Sequence, residues 1–315
     1  VLITSCGGNS DGDPRGTVTV IPPPPQNGAA GQAVKGIIAG ASVSVVDASG
    51  AAIGIASGGT TGADGTYSLV FTPAAIAAGI TAPLAVIIDG TGATTVCDLD
   101  VNGTDDDCLT SDGVTYVAFG ETYALPDGFT MTVVLSEVPA DTAEEDPVFT
   151  ANPSPASSLA ASLAYAASGD GTTLTVGNVA NANAQVLGLI ELVTGVTFAE
   201  GTLLSAIPLI DLASVGADNA ETSEQSFAIS AFAAAVAGLV DADTDLGEAL
   251  AELSAQVAAN AEGEIQISGT NLSRLSRQVS LSLGNVSAAL TTAGVTTPVA
   301  AAVVKAQVKA TSTQA

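Results

Sequence analysis

Two periodicities divide this chain. Apolar and polar positions alternate over residues 34–136, and apolar positions recur every three to four residues over 156–315. In the first stretch Val43 and Val45 alternate with Ser42 and Ser44, and Ser49-Gly50 follows as a turn. A second turn, Ala63-Asp64-Gly65, leads into Thr66-Tyr67-Ser68-Leu69-Val70-Phe71. Further strands are expected at 84–88, 94–97, 114–119 and 129–135. Many short strands separated by Gly/Asp turns predict a β-sandwich.

The second stretch predicts helices. Leu246, Leu250, Leu253 and Val257 share one helical face, and Leu272, Leu275, Val279, Leu283, Val286 and Leu290 share another. Thr222 and Gln225 fit a capping box ahead of Phe227, Ile229, Phe232 and Val236. Thr270 is a candidate N-cap, and Gly294 and Pro298 punctuate the end of that helix. Earlier helices are expected at 156–167, 179–194 and 202–214, and a last one at 299–308. Ala-rich faces let helices approach closely, so a compact bundle is expected. The fold class is therefore α+β, a β-sandwich followed by an Ala/Leu-rich helical bundle. The expected organisation is a tail over 1–33, a β-domain over 34–136, an acidic Pro-containing linker over 137–155 and a helical domain over 156–315.

Charge narrows the function classes. The chain carries 32 Asp+Glu against 6 Lys+Arg, a formal net charge of −26. Such a surface repels phosphate backbones, so nucleic acid is excluded as a partner. Histidine is absent, which removes Ser-His-Asp and Cys-His catalysis. Tryptophan is absent and Phe and Tyr are few, which argues against a sugar-stacking cleft. The expectation is a non-catalytic protein. No run reaches the roughly eighteen apolar residues of a membrane span.

Ile3-Thr4-Ser5-Cys6-Gly7-Gly8 reads as a bacterial lipobox, with Val1-Leu2 as the stump of a signal h-region. That resemblance implies export, a lipid on Cys6 and attachment to a membrane through it. The tail also holds Thr17, Val18, Thr19, Val20 and Ile21, a β-prone run, followed by Pro22-Pro23-Pro24-Pro25. Four prolines favour a stiff polyproline II spacer. Residues 17–21 are either part of a stalk or a strand that completes a sheet edge, in this chain or in a copy of it.

Val34-Lys35-Gly36, then Gly40-Ala41-Ser42-Val43-Ser44-Val45-Val46-Asp47, then Thr61-Gly62-Ala63-Asp64-Gly65-Thr66-Tyr67-Ser68-Leu69 resembles a carboxypeptidase regulatory-like (transthyretin-like) domain. The resemblance covers about a third of the chain. It implies a small Greek-key sandwich used for spacing, adhesion or assembly, with no active site of its own. Exported bacterial lipoproteins with such a domain resemble this chain in carrying a helical half as well.

One segment has the composition of a metal loop. Asp98, Asp100 and Asn102 alternate, Gly103 permits a sharp turn, and Asp105, Asp106 and Asp107 follow. Alternating oxygen ligands around a tight turn converge on a hard cation, so calcium is expected here. The pattern departs from an EF-hand, because the twelfth position from Asp98 is Leu109. The alternative is a solvated acidic turn. Cys97 and Cys108 flank the segment, and in an exported chain they are expected to form a disulfide. Lys305 and Lys309 form a small basic end. They are expected to favour the C-terminus of their helix, or to meet an acidic surface on a neighbouring copy. Two functions follow: a self-assembling surface or filament subunit with a calcium-stabilised β-domain, or a monomeric lipid-anchored binding or adhesion lipoprotein.

Overall fold

The structure, a computed structural model, describes residues 28–98, 108–110, 115–137, 148–169, 171–219, 221–239, 246–258, 267, 269–296 and 298–313. It is mixed α+β, with sheets in the N-terminal half and helices in the C-terminal half. The first half holds β1 (Gly28–Gln32), β2 (Ile38–Ala39), β3 (Ser42–Asp47), β4 (Ile55–Ser57), β5 (Thr66–Phe71) and a short α1 (Pro73–Ala78). There follow β6 (Leu84–Asp89), β7 (Thr94–Val96), β8 (Cys108–Leu109), β9 (Tyr116–Val117), β10 (Thr122–Ala124), β11 (Thr130–Leu135) and β12 (Val148–Thr150). The second half holds α2 (Pro155–Ala166), α3 (Val176–Thr194), α4 (Glu224–Ala237), α5 (Leu246–Ala258), α6 (Gly269–Thr292) and α7 (Pro298–Thr313).

The strands form sheets of order β12-β1-β5-β4, β10-β7-β2 and β11-β6-β3, with β8-β9 as a separate pair. Alternation does what the sequence promises in β3, where Val43 and Val45 are buried and Ser42 and Ser44 exposed. β6 is the central strand of its sheet, and Leu84, Ala85, Val86 and Ile88 are buried on both its faces.

The sheet also recruits residues on both sides of 34–136. β1 lies inside the first sheet, antiparallel to β5 and parallel to β12. β12 and the residues after it belong to a buried junction. The Gln32 N–H donates to Asn152 Oδ1 at 3.0 Å, and the Asn152 amide donates to the Ser205 and Ile207 carbonyls, each at 3.0 Å. The buried Tyr67 hydroxyl donates to the Ala151 carbonyl.

The helical half docks on an edge of the third sheet. Ser154 caps α2, and Ser157 returns the bond in a capping box, with Pro155 in the first turn. The Thr132 N–H in β11 donates to Ser158 Oγ at 2.9 Å, and Ser157 Oγ donates to the Thr132 carbonyl at 3.0 Å. Two serines of a helix thus take the place of a neighbouring strand. The apolar cores of the two halves join into one, from Phe71, Met131 and Leu159 to Phe227, Phe232 and Leu283.

Several helix expectations need correction. Residues 202–214 form only 3-10 turns at Leu204–Ala206 and Leu212–Ser214, because Pro208 cannot donate to a continuous helix. The N-cap of α4 is Ser223 rather than Thr222. Thr270 lies inside α6, which starts at Gly269. α7 runs on to Thr313, so no basic residue stands in its last turn and the lysines do not serve its C-terminus.

Candidate functional site

The acidic segment 98–107 springs from β7, and its two ends are held by described residues. Cys97 and Cys108 are bridged, with sulfurs 2.10 Å and Cα atoms 5.7 Å apart. The bridge is buried. Asp98, the first of the six proposed calcium ligands, is itself buried and 3% exposed. Its Oδ2 accepts the Gly36 N–H at 2.6 Å. Its Oδ1 has no hydrogen-bond partner among the described residues. Only glycine fits opposite it: Gly36 has φ of +60°, and a Cβ there would stand 1.8 Å from the Val96 carbonyl oxygen.

Lys35 completes the cluster. The residue is half-buried, and its ammonium donates to the Tyr123 hydroxyl at 2.6 Å. That nitrogen lies 5.3 Å from the ring centroid. The two distances put it at the oxygen end of the ring, so the contact is a hydrogen bond and not a cation stacked on the ring face. Thr95 Oγ1 donates to the Lys35 carbonyl and fixes the backbone beside it. Burial pulls the Lys35 pKa down, but the Tyr123 oxygen and the Asp98 charge outweigh it, and the pKa ends above its ordinary value. Burial pushes the Asp98 carboxyl up, and the Lys35 charge and the Gly36 N–H oppose this without cancelling it. Asp211, from the helical half, adds to the rise.

Chemically, this is a charge-balanced anchor. It ties the segments around β2, β7 and β10 together at the mouth of the acidic loop, and the disulfide closes the other side. Of the residues singled out in the sequence, it brings together Cys97, Cys108 and Asp98. Asp100, Asn102, Asp105, Asp106 and Asp107 lie outside the described residues, as do Cys6 and Thr17, Val18, Thr19, Val20 and Ile21. Among the described residues, no group of three or more His, Cys, Asp or Glu could hold a metal ion. Among them too, no helix is long and apolar enough to cross a membrane. The roles of Lys35, Gly36, Thr95 and Tyr123 were not foreseen. The signal was present in Lys35, the one lysine before Lys305, set in the apolar run Val34 to Ile38.

No family model, curated protein or solved structure matches this chain.

Proposed function

We propose that this chain is a non-catalytic, exported structural protein that assembles with copies of itself at a bacterial cell surface or into an extracellular filament. One observation carries the reading. β12 ends its sheet, so its outer side is an unpaired edge among the described residues, and Val148 on it is 50% exposed. An open edge is a template for another strand. The β-prone residues 17–21 precede β1, the strand next to that edge, across a spacer of four prolines. A stiff polyproline spacer holds such a strand away from its own sheet and offers it to a neighbour's β12. The resemblance of residues 34–69 to regulatory-like domains supports a spacing or assembly role. Calcium in the loop of Asp98, Asp100, Asn102, Asp105, Asp106 and Asp107 would offset the repulsion of its carboxylates and stiffen the β-domain.

The test is negative-stain electron microscopy of the full chain in millimolar calcium, after chelation, and with Val18→Pro and Val20→Pro combined. Regular filaments are expected from the unaltered chain, and proline should abolish them by removing strand donors. Loss on chelation would assign control of assembly to the calcium loop. Filaments that persist in the proline variant would discard the tail strand. Dispersed particles throughout would favour the second reading, a monomeric adhesion or binding lipoprotein anchored through Cys6, which rests on the lipobox-like sequence.

A further inference from the structure

All 32 acidic residues of this chain lie within residues 1–264, with two of its six cations. Residues 265–315 hold the other four, Arg274, Arg277, Lys305 and Lys309, and no acid. The fold gathers this segment into one hairpin. α6 and α7 pack against each other antiparallel, since Ser280 Oγ meets Thr311 Oγ1 at 2.7 Å and a Cβ on Gly284 would meet Gln307. Arg274, Arg277, Lys305 and Lys309 are the exposed cations among the described residues. α7 turns Val303, Ala306 and Ala310 inward, and outward it presents Val304 at 44% and Val308 at 63% exposure. Lys309 is also pre-positioned, because its stem packs against the Gly195 turn that ends α3. The hairpin thus shows solvent an apolar pair beside exposed Lys305 and Lys309, in a chain whose acids all lie outside this segment.

We infer that the outward face of the α6–α7 hairpin is a docking surface for the acidic surface of a second copy of this chain. Charge decides the occupant. A second copy brings 32 acids at equal concentration, and they complement the four cations that this acid-free hairpin gathers. Charge also decides the geometry. Two hairpins facing each other would set like charges together, so the contact joins different surfaces on the two copies. A contact of that kind propagates into an open polymer or closes as a ring. The inference rests on the self-assembly reading and adds to it a second contact, independent of the tail strand.

Sedimentation velocity over a range of concentrations tests it, with the full chain and three variants: Lys305→Glu with Lys309→Glu, Val308→Ser alone, and Val18→Pro with Val20→Pro. Helical circular dichroism should be unchanged in the hairpin variants, since the altered side chains are exposed. Both hairpin variants are expected to weaken self-association at least tenfold. Unchanged association in both would overturn the docking surface, and loss in the tail variant alone would leave the tail strand standing without it. Loss in the hairpin variants alone would do the reverse. A monomeric unaltered chain at every concentration would overturn both. Binding of phosphatidylglycerol vesicles that is lost in the double-lysine variant, with association intact, would hand the face to lipid and overturn the inference.

Discussion

Replacing Lys35 with methionine removes the positive charge that holds the buried Asp98 carboxyl down. The two groups act on each other through space and not in a direct ion pair, so the loss should be on the order of 1–2 kcal/mol. The loss should depend on pH in a definite direction. Asp98 has a folded pKa above its ordinary 3.8. The stability attached to it is therefore full below that value and falls as pH rises through the raised pKa. Without Lys35 the carboxyl rises further, so Lys35→Met should be most destabilising near neutral pH and far less so once Asp98 is protonated. Urea unfolding from about pH 4 to 7 checks this, and a deficit independent of pH would discard the pairing. Asp47 and Asp64 run the other way. Hydrogen bonds from Ser49 and Ala51 to Asp47, and from Thr66 to Asp64, hold both carboxyls below 3.8. Their contribution is present above that value and is lost as pH falls through the lowered pKa. Spacing groups Asp98 with the loop carboxylates but cannot show that its Oδ2 also accepts from the N–H of Gly36, 62 positions away.

Strands that alternate were readable in advance, and β3 and β5 stand where alternation put them, while β6 and β11 stand where apolar runs between turns put them. β1 was not, because Gly28-Ala29-Ala30-Gly31-Gln32 has no large side chain to alternate. The structure supplies the reason. A Cβ on Gly28 would stand 2.2 Å from the Leu69 carbonyl oxygen, and one on Gly31 1.7 Å from that of Ala151. The strand is small because carbonyls crowd it, and such crowding is a property of pairing, not of local sequence. The helical stripes of α5 and α6 were equally readable, and Leu246, Leu250, Leu253, Leu275, Val279 and Leu283 are buried. What periodicity could not reveal is how helix and sheet meet. Ser157 and Ser158 satisfy both backbone groups of Thr132. Changing both serines to alanine would leave a half-buried strand edge without these partners and should cost about 1–2 kcal/mol. Urea unfolding of the double variant measures it, and a loss below roughly 0.5 kcal/mol would show that the edge finds other partners.

The switch from a period of two to a period near 3.6 announced both halves of the molecule. Their shared core was beyond reach, since it depends on which surfaces face each other. Net charge governs how the whole particle meets its neighbours. At −26, copies repel over about 10 Å in dilute salt. The isoelectric point is near 4.1. Light scattering between about pH 3.5 and 7 should therefore rise to a maximum near pH 4, where repulsion vanishes. A flat profile would mean that specific contacts, not net charge, limit association.

The parallel pairing of Gly28 with Val148 governs the order in which the chain can fold. β1 is flanked on one side by a partner about 40 residues later and on the other by one 120 residues later. A chain emerging N-terminus first from a ribosome or a secretion channel can pair β1 with β5 early. Its other flank stays open until the residues just before α2 have also emerged. Through that interval β1 is an edge, and a second nascent chain could occupy the place of β12. Exchange of β12 between copies is thus a misassembly open to this topology, and slower emergence would lengthen the time it has to occur.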